Sequence, residues 1–458
     1  MSQRVPKRTK ILYGVADSGL ATLVVTTQFY LLFYYTDVAL VDAAIAGTAL
    51  MVGKLTWDAF NDPLIGYLSD RTRSRWGRRR PYMLFGSLLL LPATWLVFSL
   101  PTGLKGALAF AAVLGTFLLW DTIQSLVAVP YYALMPELSQ DYGERTTLSA
   151  VRQVFTIVGA ILGAAATTAI VGALEKGAGL TTQGAYSGMA VIFGLYAAVT
   201  VLITAVSVQE KRTVEFRPIA APPLAAVRQA LRNKPFVRLL LINFISLFSF
   251  ALLPAMVPYW ITYQLDMEAQ IPLVMLLMYV VAGAALFPWR SVSDRINKGP
   301  AYALGLLIAS VTLILSVFIP QGPTPLVYLV AVIVGLGLSC QYIFPWAMLP
   351  DVVEYDELET GERREGIYYG LWQFATKFSG AFGLLVSGWA LTLFGYVPNV
   401  AQTERALLGI RLFYGVVPAV VLILMLPLLI WFPITRSSHA RLRARLADES
   451  AGESPVAP

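Results

Sequence analysis

The run TWDAFNDPLIGYLSDRTRSRWGRRRP, residues 56–81, puts acids where a membrane should forbid them and then ends in a burst of cations. Asp58, Asn61 and Asp62 are spaced i, i+3, i+4, so on a helix they share one face. Long apolar runs flank them. A carboxylate in hydrocarbon costs about 2.5–3.5 kcal/mol on insertion scales, so such residues face an interior cavity and do chemistry there. Two carboxylates beside an amide offer the hard oxygens that a sodium ion requires. A single carboxylate that takes up a proton would serve H⁺ as well. Lys54, four residues before Asp58, extends the stripe. A structural Lys54–Asp58 ion pair is the alternative reading, but one lysine does not neutralise two acids. Arg71, Arg73, Arg75, Arg78, Arg79 and Arg80 mark a short cytoplasmic loop.

The elements that must hold these residues are membrane helices. Of 458 residues, 57% are hydrophobic and 13% charged, against roughly 25% charged in soluble domains. The net charge of +7 is no nucleic-acid signal, because the cations sit in short loops. Cys340 and His439, the only residues of their types, exclude a disulfide scaffold and a Cys/His metal centre. They leave no nucleophile–base pair, so an enzyme is not expected. The N-terminus, MSQRVPKRTK, is basic, but the apolar run after it is of full span length and lacks a small-residue cleavage site. It reads as a retained first helix.

A span requires ~20 mostly apolar residues. Twelve segments qualify: 11–38, 43–69, 81–101, 106–136, 147–173, 186–208, 236–264, 271–291, 300–320, 325–350, 367–395 and 405–433. The odd-numbered breaks hold only Lys105, Lys176 and Arg405, while the even-numbered breaks and the termini hold nearly all other cations. Both termini are therefore expected in the cytoplasm of a multi-pass protein of the plasma membrane, a bacterial inner membrane by type. The longest break, 209–235, contains Pro218, Pro222 and Pro223. It divides an N-terminal six-helix bundle, 1–208, from a C-terminal one, 236–433, with a cytoplasmic tail at 434–458.

The halves repeat. GYLSDRTRSRWGRRRPY (66–82) follows span two and RSVSDRINKGPAY (290–302) follows span eight. VPYYALMPELSQDYGERTTL (129–148) closes span four and FPWAMLPDVVEYDELETGERREG (344–366) closes span ten. Parallel six-helix repeats around a central loop are the signature of the major facilitator architecture, with the site at the midplane between halves. The fold expected is all-α, with twelve transmembrane helices in two six-helix halves.

The segments YGVADSG (13–19), FYYTDV (33–38), WDAFNDPLIGYLSDRTRSRWGRRRPY (57–82), VPYYALMPEL (129–138), DVVEYDE (351–357) and GYVPNV (395–400) carry a further resemblance. On them the chain resembles the glycoside–pentoside–hexuronide:cation symporters, the melibiose permease-like family of the major facilitator superfamily. The resemblance spans nearly the whole chain. It implies a Na⁺- or H⁺-coupled secondary active symporter of a sugar, glycoside or related hydroxylated solute, working by alternating access without a cofactor. It places the cation site on Asp58 and Asp62, with Asn61 beside them, a hydroxyl from Ser125 and a lysine at Lys377. If the ion is sodium, Asp58 and Asp62 are its ligands. The Asn61 and Ser125 oxygens favour sodium; Lys54 and Lys377 compete with it, and both ions stay open. The resemblance also puts Arg152 close to the sugar and Tyr132 at an aromatic that flanks it. The two carboxylates that hold the sugar in the melibiose branch fall here on Ala21 and Ala128. Asp17 and Asp121 lie one and two turns before them, which implies a related but different ligand.

Sugars are held by hydrogen-bonding side chains and aromatic platforms. Interior candidates are Asp17, Gln28, Tyr30, Asp121, Gln124, Tyr131, Tyr132 and Arg152 in the first half, and Gln341, Trp346, Trp372, Gln373 and Lys377 in the second. Each Trp or Tyr can equally belong to an interfacial belt. Asn243 and Gln264 read as interhelical glue and a helix-end residue. For gating, Asp70 and Asp294 of the SDR segments and Arg145 and Arg363 of the GER segments are expected to brace the cytoplasmic side. The partners expected are a small sugar-like solute and the bilayer, with no nucleic acid and a monomer sufficient. The alternative is a sodium-coupled lysophospholipid or other amphiphile carrier, which needs a continuous apolar slot. A transport-inactive sensor would have lost the paired acids.

Overall fold

The computed structural model describes residues 5–138, 142–208, 228, 230–360 and 365–434. Helix α1 (Lys7–Phe33) continues through a π turn at Tyr34–Val38. Helix α2 (Ala43–Val52), a π turn at Gly53–Trp57 and α3 (Asp58–Arg71) make a second rod. Helices α4 (Arg80–Val97) and α5 (Gly106–Leu138) are the third and fourth. The fifth joins α6 (Tyr142–Ile161), the π turn Leu162–Ala166 and α7 (Thr167–Ala178), and α8 (Thr182–Ser207) is the sixth. Then follow α9 (Lys234–Tyr259) with the π turn Trp260–Gln264, α10 (Ile271–Ile296), α11 (Lys298–Ser316), α12 (Leu326–Thr360) and α13 (Glu365–Leu393). Helix α14 (Glu404–Arg411), the π turn Leu412–Val416 and α15 (Val417–Ile430) complete the twelfth rod. Among the described residues, ten rods are long and apolar enough to cross a membrane. The second and eleventh fall outside that set; they carry Asp62 and Lys377, the polar residues of interest.

Polar residues at the turns start the helices. The side chains of Asp42, Thr181, Asn233 and Thr403 each accept from a backbone N–H two or three residues into α2, α8, α9 and α14. Several helices outrun their apolar segments: α10 continues past 291 to Ile296 and α12 past 350 to Thr360. Hydropathy marks the hydrocarbon, and a helix can run on into water.

The packing repeats as the sequence does. In the first half, rod one packs on rods five and six, rod three on four and six, and rod two on four. In the second, rod seven packs on eleven and twelve, nine on ten and twelve, and eight on ten. Each pairing maps onto its counterpart by adding six. Across the halves, rod one meets seven, two meets eleven, and five meets eight. Small residues permit the close crossings. A Cβ on Gly159 would lie 2.1 Å from the Ser18 carbonyl oxygen, so α6 can press onto α1 there. Calling the end where α1 begins the inner face, the π turn Tyr34–Val38 lies at the outer one.

Candidate functional site

The α1–α6 crossing assembles the first polar cluster. Asp17 of α1 is 3% exposed. It accepts from the Tyr132 hydroxyl of α5 at 3.3 Å and from the Thr156 hydroxyl of α6. Arg152, one turn before Thr156, brings its Nε to 3.6 Å from the same carboxylate. Its guanidinium lies 5.1 Å over the Tyr132 ring. Beneath them Tyr13 and Tyr131 stack at 4.9 Å, and the Tyr131 hydroxyl donates to the Tyr13 carbonyl at 3.0 Å. A buried carboxylate is tolerable only with such partners. Tyr132 is 44% exposed, which leaves the cluster one open side.

The second cluster joins the halves. Asp62 of α3 accepts from the Lys377 ammonium of α13, and each side chain is about one-third exposed. The segment holding Asp62 departs from a regular helix on both sides. The π turn Gly53–Trp57 precedes Asp58, and Pro63 follows Asp62. Such irregularities recur at functional sites. Asn61 is buried and donates to the Asp121 carbonyl at 3.4 Å. Trp57 donates to the Thr122 hydroxyl at 2.8 Å. Both contacts fix rod two against α5. On α5, Asp121, Gln124 and Ser125 are buried, and the Gln124 amide donates to the Leu20 carbonyl at 3.4 Å.

The remaining expected residues divide. Gln373 is exposed one turn before Lys377. Trp372 is 1% exposed and packs edge-on to Trp346 at 6.1 Å, so its indole is core and Trp346 shows the open surface. Asn243 donates to Thr376 at 3.3 Å, tying α9 to α13, and Gln264 closes rod seven on the Ile319 carbonyl at 3.2 Å. Asp58 opens α3, but its side chain lies outside the described residues, as do those of Asp70 and Arg145. Arg363 lies wholly outside them. Asp294 is exposed near the end of α10. Among the described residues no cluster of three or more His, Cys, Asp or Glu is placed to hold a metal ion.

Sequence reasoning missed a third cluster, at the outer face. Asp37, at the end of rod one, is buried and accepts from the hydroxyls of Tyr263 and Tyr396 in the second half. Thr36 and Tyr259 share a hydrogen bond of 2.6 Å. Asn399 donates to the Asp37 carbonyl at 2.6 Å from a left-handed conformation, φ 59°, which asparagine tolerates. Glycines complete the seal: a Cβ on Gly388 of α13 would lie 2.3 Å from the Ala43 carbonyl of α2. The signal was present in FYYTDV and GYVPNV, an acid at a span end and a Tyr/Asn pair in an outer loop. Below this seal lies a cavity of about 260 Å³. Its walls are largely apolar side chains of the second half, with Gln28, Lys54, Gln341 and Thr376 among them.

The sequence model of the family described as MFS/sugar transport protein matches residues 12–436. The chain is 30% identical to the isoprimeverose transporter of Lactiplantibacillus pentosus, over 91% of this chain and 86% of that one. It is 29% identical to a glucuronide carrier protein homolog of Escherichia coli, over 95% and 94%. It is 25% identical to the sodium-dependent lysophosphatidylcholine symporter 1 of Gallus gallus, over 97% and 90%. In fold it is similar to the nucleoside transporter NupG, solved as a point mutant, with a TM-score of 0.71 at 11% identity over 93% of this chain and 100% of that one.

Proposed function

The chain belongs to the glycoside–pentoside–hexuronide symporter family of the major facilitator superfamily, and on that premise we propose that it takes up a glycoside or related hydroxylated solute together with a cation. One observation carries the reading: an acid–base pair, Asp62–Lys377, bridges the two halves. In this reading the driving cation, Na⁺ or H⁺, binds at Asp62 with Asp58, Asn61 and Ser125. The Lys377 ammonium is a tethered competitor. Cation arrival releases it, and release uncouples α3 from α13 so that the halves can rock.

Asp17, Arg152 and Tyr132 form the hydroxyl-binding pole, with Gln373 and Lys377 facing it from α13. Asp17 and Arg152 give an acceptor and a donor array in fixed geometry, the combination that reads vicinal hydroxyls. Asp121 and Gln124 support that wall from α5. Of the two tryptophans expected as platforms, Trp346 is the exposed one and takes that role. With the outer face sealed at Asp37, this structure corresponds to the state that opens inward. The SDR and GER segments, Asp70 and Asp294 with Arg145 and Arg363, brace the inner face in the opposite state. Both termini face the cytoplasm, and one chain suffices.

A second reading is favoured by the apolar cavity: an amphiphile of the kind carried by the lysophosphatidylcholine symporters. The charged, hydroxyl-rich Asp17 cluster weighs against it. Uptake of radiolabelled glucosides, xylosides and glucuronides into proteoliposomes, beside a labelled lysophosphatidylcholine, tests the two. Uptake of at least one glycoside and none of the lipid is expected. Uptake of the lipid alone would overturn the assignment.

A further inference from the structure

The loop between α3 and α4 is unlike its copy in the second half. There α10 and α11 meet across one residue, Asn297. The Lys298 ammonium that follows donates to the Ala347 carbonyl at 2.8 Å and to Asp351 at 2.6 Å. In the first half the chain runs from Arg71, the end of α3, to Arg80, the start of α4, and carries six arginines. Two of them serve the fold as Lys298 does. Arg79 donates to the Ala133 carbonyl of α5, and Arg80 to the Ala205 and Val206 carbonyls of α8 at 2.7 and 3.0 Å.

Arg71, Arg73 and Arg75 are exposed and are placed differently. The Arg71 guanidinium lies 4.1 Å from the centre of the Tyr67 ring, and that of Arg75 lies 5.0 Å from the centre of the Trp76 ring. Both rings are exposed themselves, at 52% and 42%. Trp76 in turn meets Phe85 of α4 at 6.5 Å. Phe85, Leu88 and Leu89 then continue as an exposed apolar stripe along α4. The Thr72 and Tyr82 hydroxyls share a hydrogen bond of 2.7 Å, which ties the end of α3 to the first turn of α4. The loop is therefore held at the level where the apolar part of α4 begins. Membrane topology asks only for positive charge on one side. It does not ask that guanidinium groups lie on exposed rings beside an apolar stripe. A guanidinium stacked on a ring keeps its N–H edge outward, the edge that takes phosphate oxygens in pairs. Tryptophan favours the headgroup boundary, and a stripe of Phe and Leu suits acyl chains.

We propose that the surface formed by Arg73, Arg75 and Trp76 binds an anionic phospholipid, phosphatidylglycerol in its simplest form, from the leaflet at the inner face. The phosphodiester lies against Arg73 and Arg75, the glycerol against Trp76, and one acyl chain along Phe85, Leu88 and Leu89. Each cation of such a cluster favours an anionic surface, so headgroup charge selects the lipid. The lipid holds the inner end of rod two, the rod that carries Asp62, in the headgroup layer. Nothing in this surface depends on which solute is carried.

Tryptophan quenching by phospholipids brominated in the upper acyl chain reads the contact in the reconstituted full-length protein. Trp76→Phe keeps a ring for Arg75 and Phe85, and subtracting its emission from that of the unaltered protein gives the Trp76 share. In a phosphatidylcholine bilayer, brominated phosphatidylglycerol should quench that share at a membrane fraction about fivefold lower than brominated phosphatidylcholine does. Arg73→Gln with Arg75→Gln should abolish this preference, and Arg73→Lys with Arg75→Lys should keep part of it. Equal quenching by the two lipids in the unaltered protein overturns the site. So does a preference that survives the double glutamine variant, which would assign it to the general positive charge of the inner face. Loss of the preference on adding free glycerol phosphate would overturn the lipid as occupant and make the loop a site for a soluble phosphate ester.

Discussion

Lys377 places an ammonium beside the Asp62 carboxylate, at the proposed place of the driving cation. With about a third of each side chain exposed, the pair is worth about 1 kcal/mol or less, weak enough to exchange. Asp62→Cys should abolish gradient-driven accumulation while the protein still inserts and purifies normally; wild-type accumulation in that variant would remove Asp62 from the coupling site. At the other pole, the proposed reading has Asp17→Ala or Arg152→Ala remove a charged hydrogen bond to the solute. The cost expected is about 1.5–3 kcal/mol, ten- to a hundredfold in affinity. A change under twofold, measured by transport kinetics, would count against the hydroxyl-binding pole. These residues were legible because a charge inside an apolar run is out of place wherever it points. Trp372 was not. Both the lipid side and the core side of a membrane helix are apolar, so periodicity does not tell an indole that lines a cavity from one that packs. Asp37 was passed over because an acid at a span end reads as an interfacial residue. Only the fold brings Tyr263 and Tyr396 to it.

The crossing of α2 and α13 is the close approach through which the proposed closure of the outer face would act. Gly47 and Gly388 lie at that crossing, and a Cβ at Gly388 has no room against the Ala43 carbonyl. Gly388→Leu should therefore hold the outer ends apart and populate the outward-open state. Labelling of Gln28→Cys by an impermeant maleimide added outside should rise severalfold in that background. Unchanged labelling would mean that the seal closes without this contact. The existence and order of the rods followed from hydropathy and from the repeated SDR and GER segments. Their ends did not, since α12 continues to Thr360 as a polar helix. Neither did the π turns: an extra residue in one turn barely alters hydropathy, yet one at Gly53–Trp57 directly precedes the helix that carries Asp62.

At the scale of the whole molecule, three contacts between halves lie along one axis: the pair Asp62–Lys377, the apolar cavity wall and the outer seal at Asp37. A symporter requires that one face close while the other opens, and the repeat of packing between rods 1–6 and 7–12 provides two bodies for that rocking. The proposed inner brace should follow the same near-symmetry. Asp70→Asn with Asp294→Asn should favour the inward-open state, seen as faster labelling of Ser125→Cys from the inner side and slower labelling from outside. Unchanged accessibility on both sides would reduce the SDR segments to topology signals. The central claim is that solute movement is driven by a cation through Asp62. Its most direct measurement is glycoside accumulation in proteoliposomes under an imposed inward gradient of Na⁺ or of H⁺, each with and without the matching ionophore. The account predicts that one of the two gradients raises the internal glycoside concentration above the external one and that its ionophore abolishes the rise. Equilibration to equal concentrations under both gradients would contradict it.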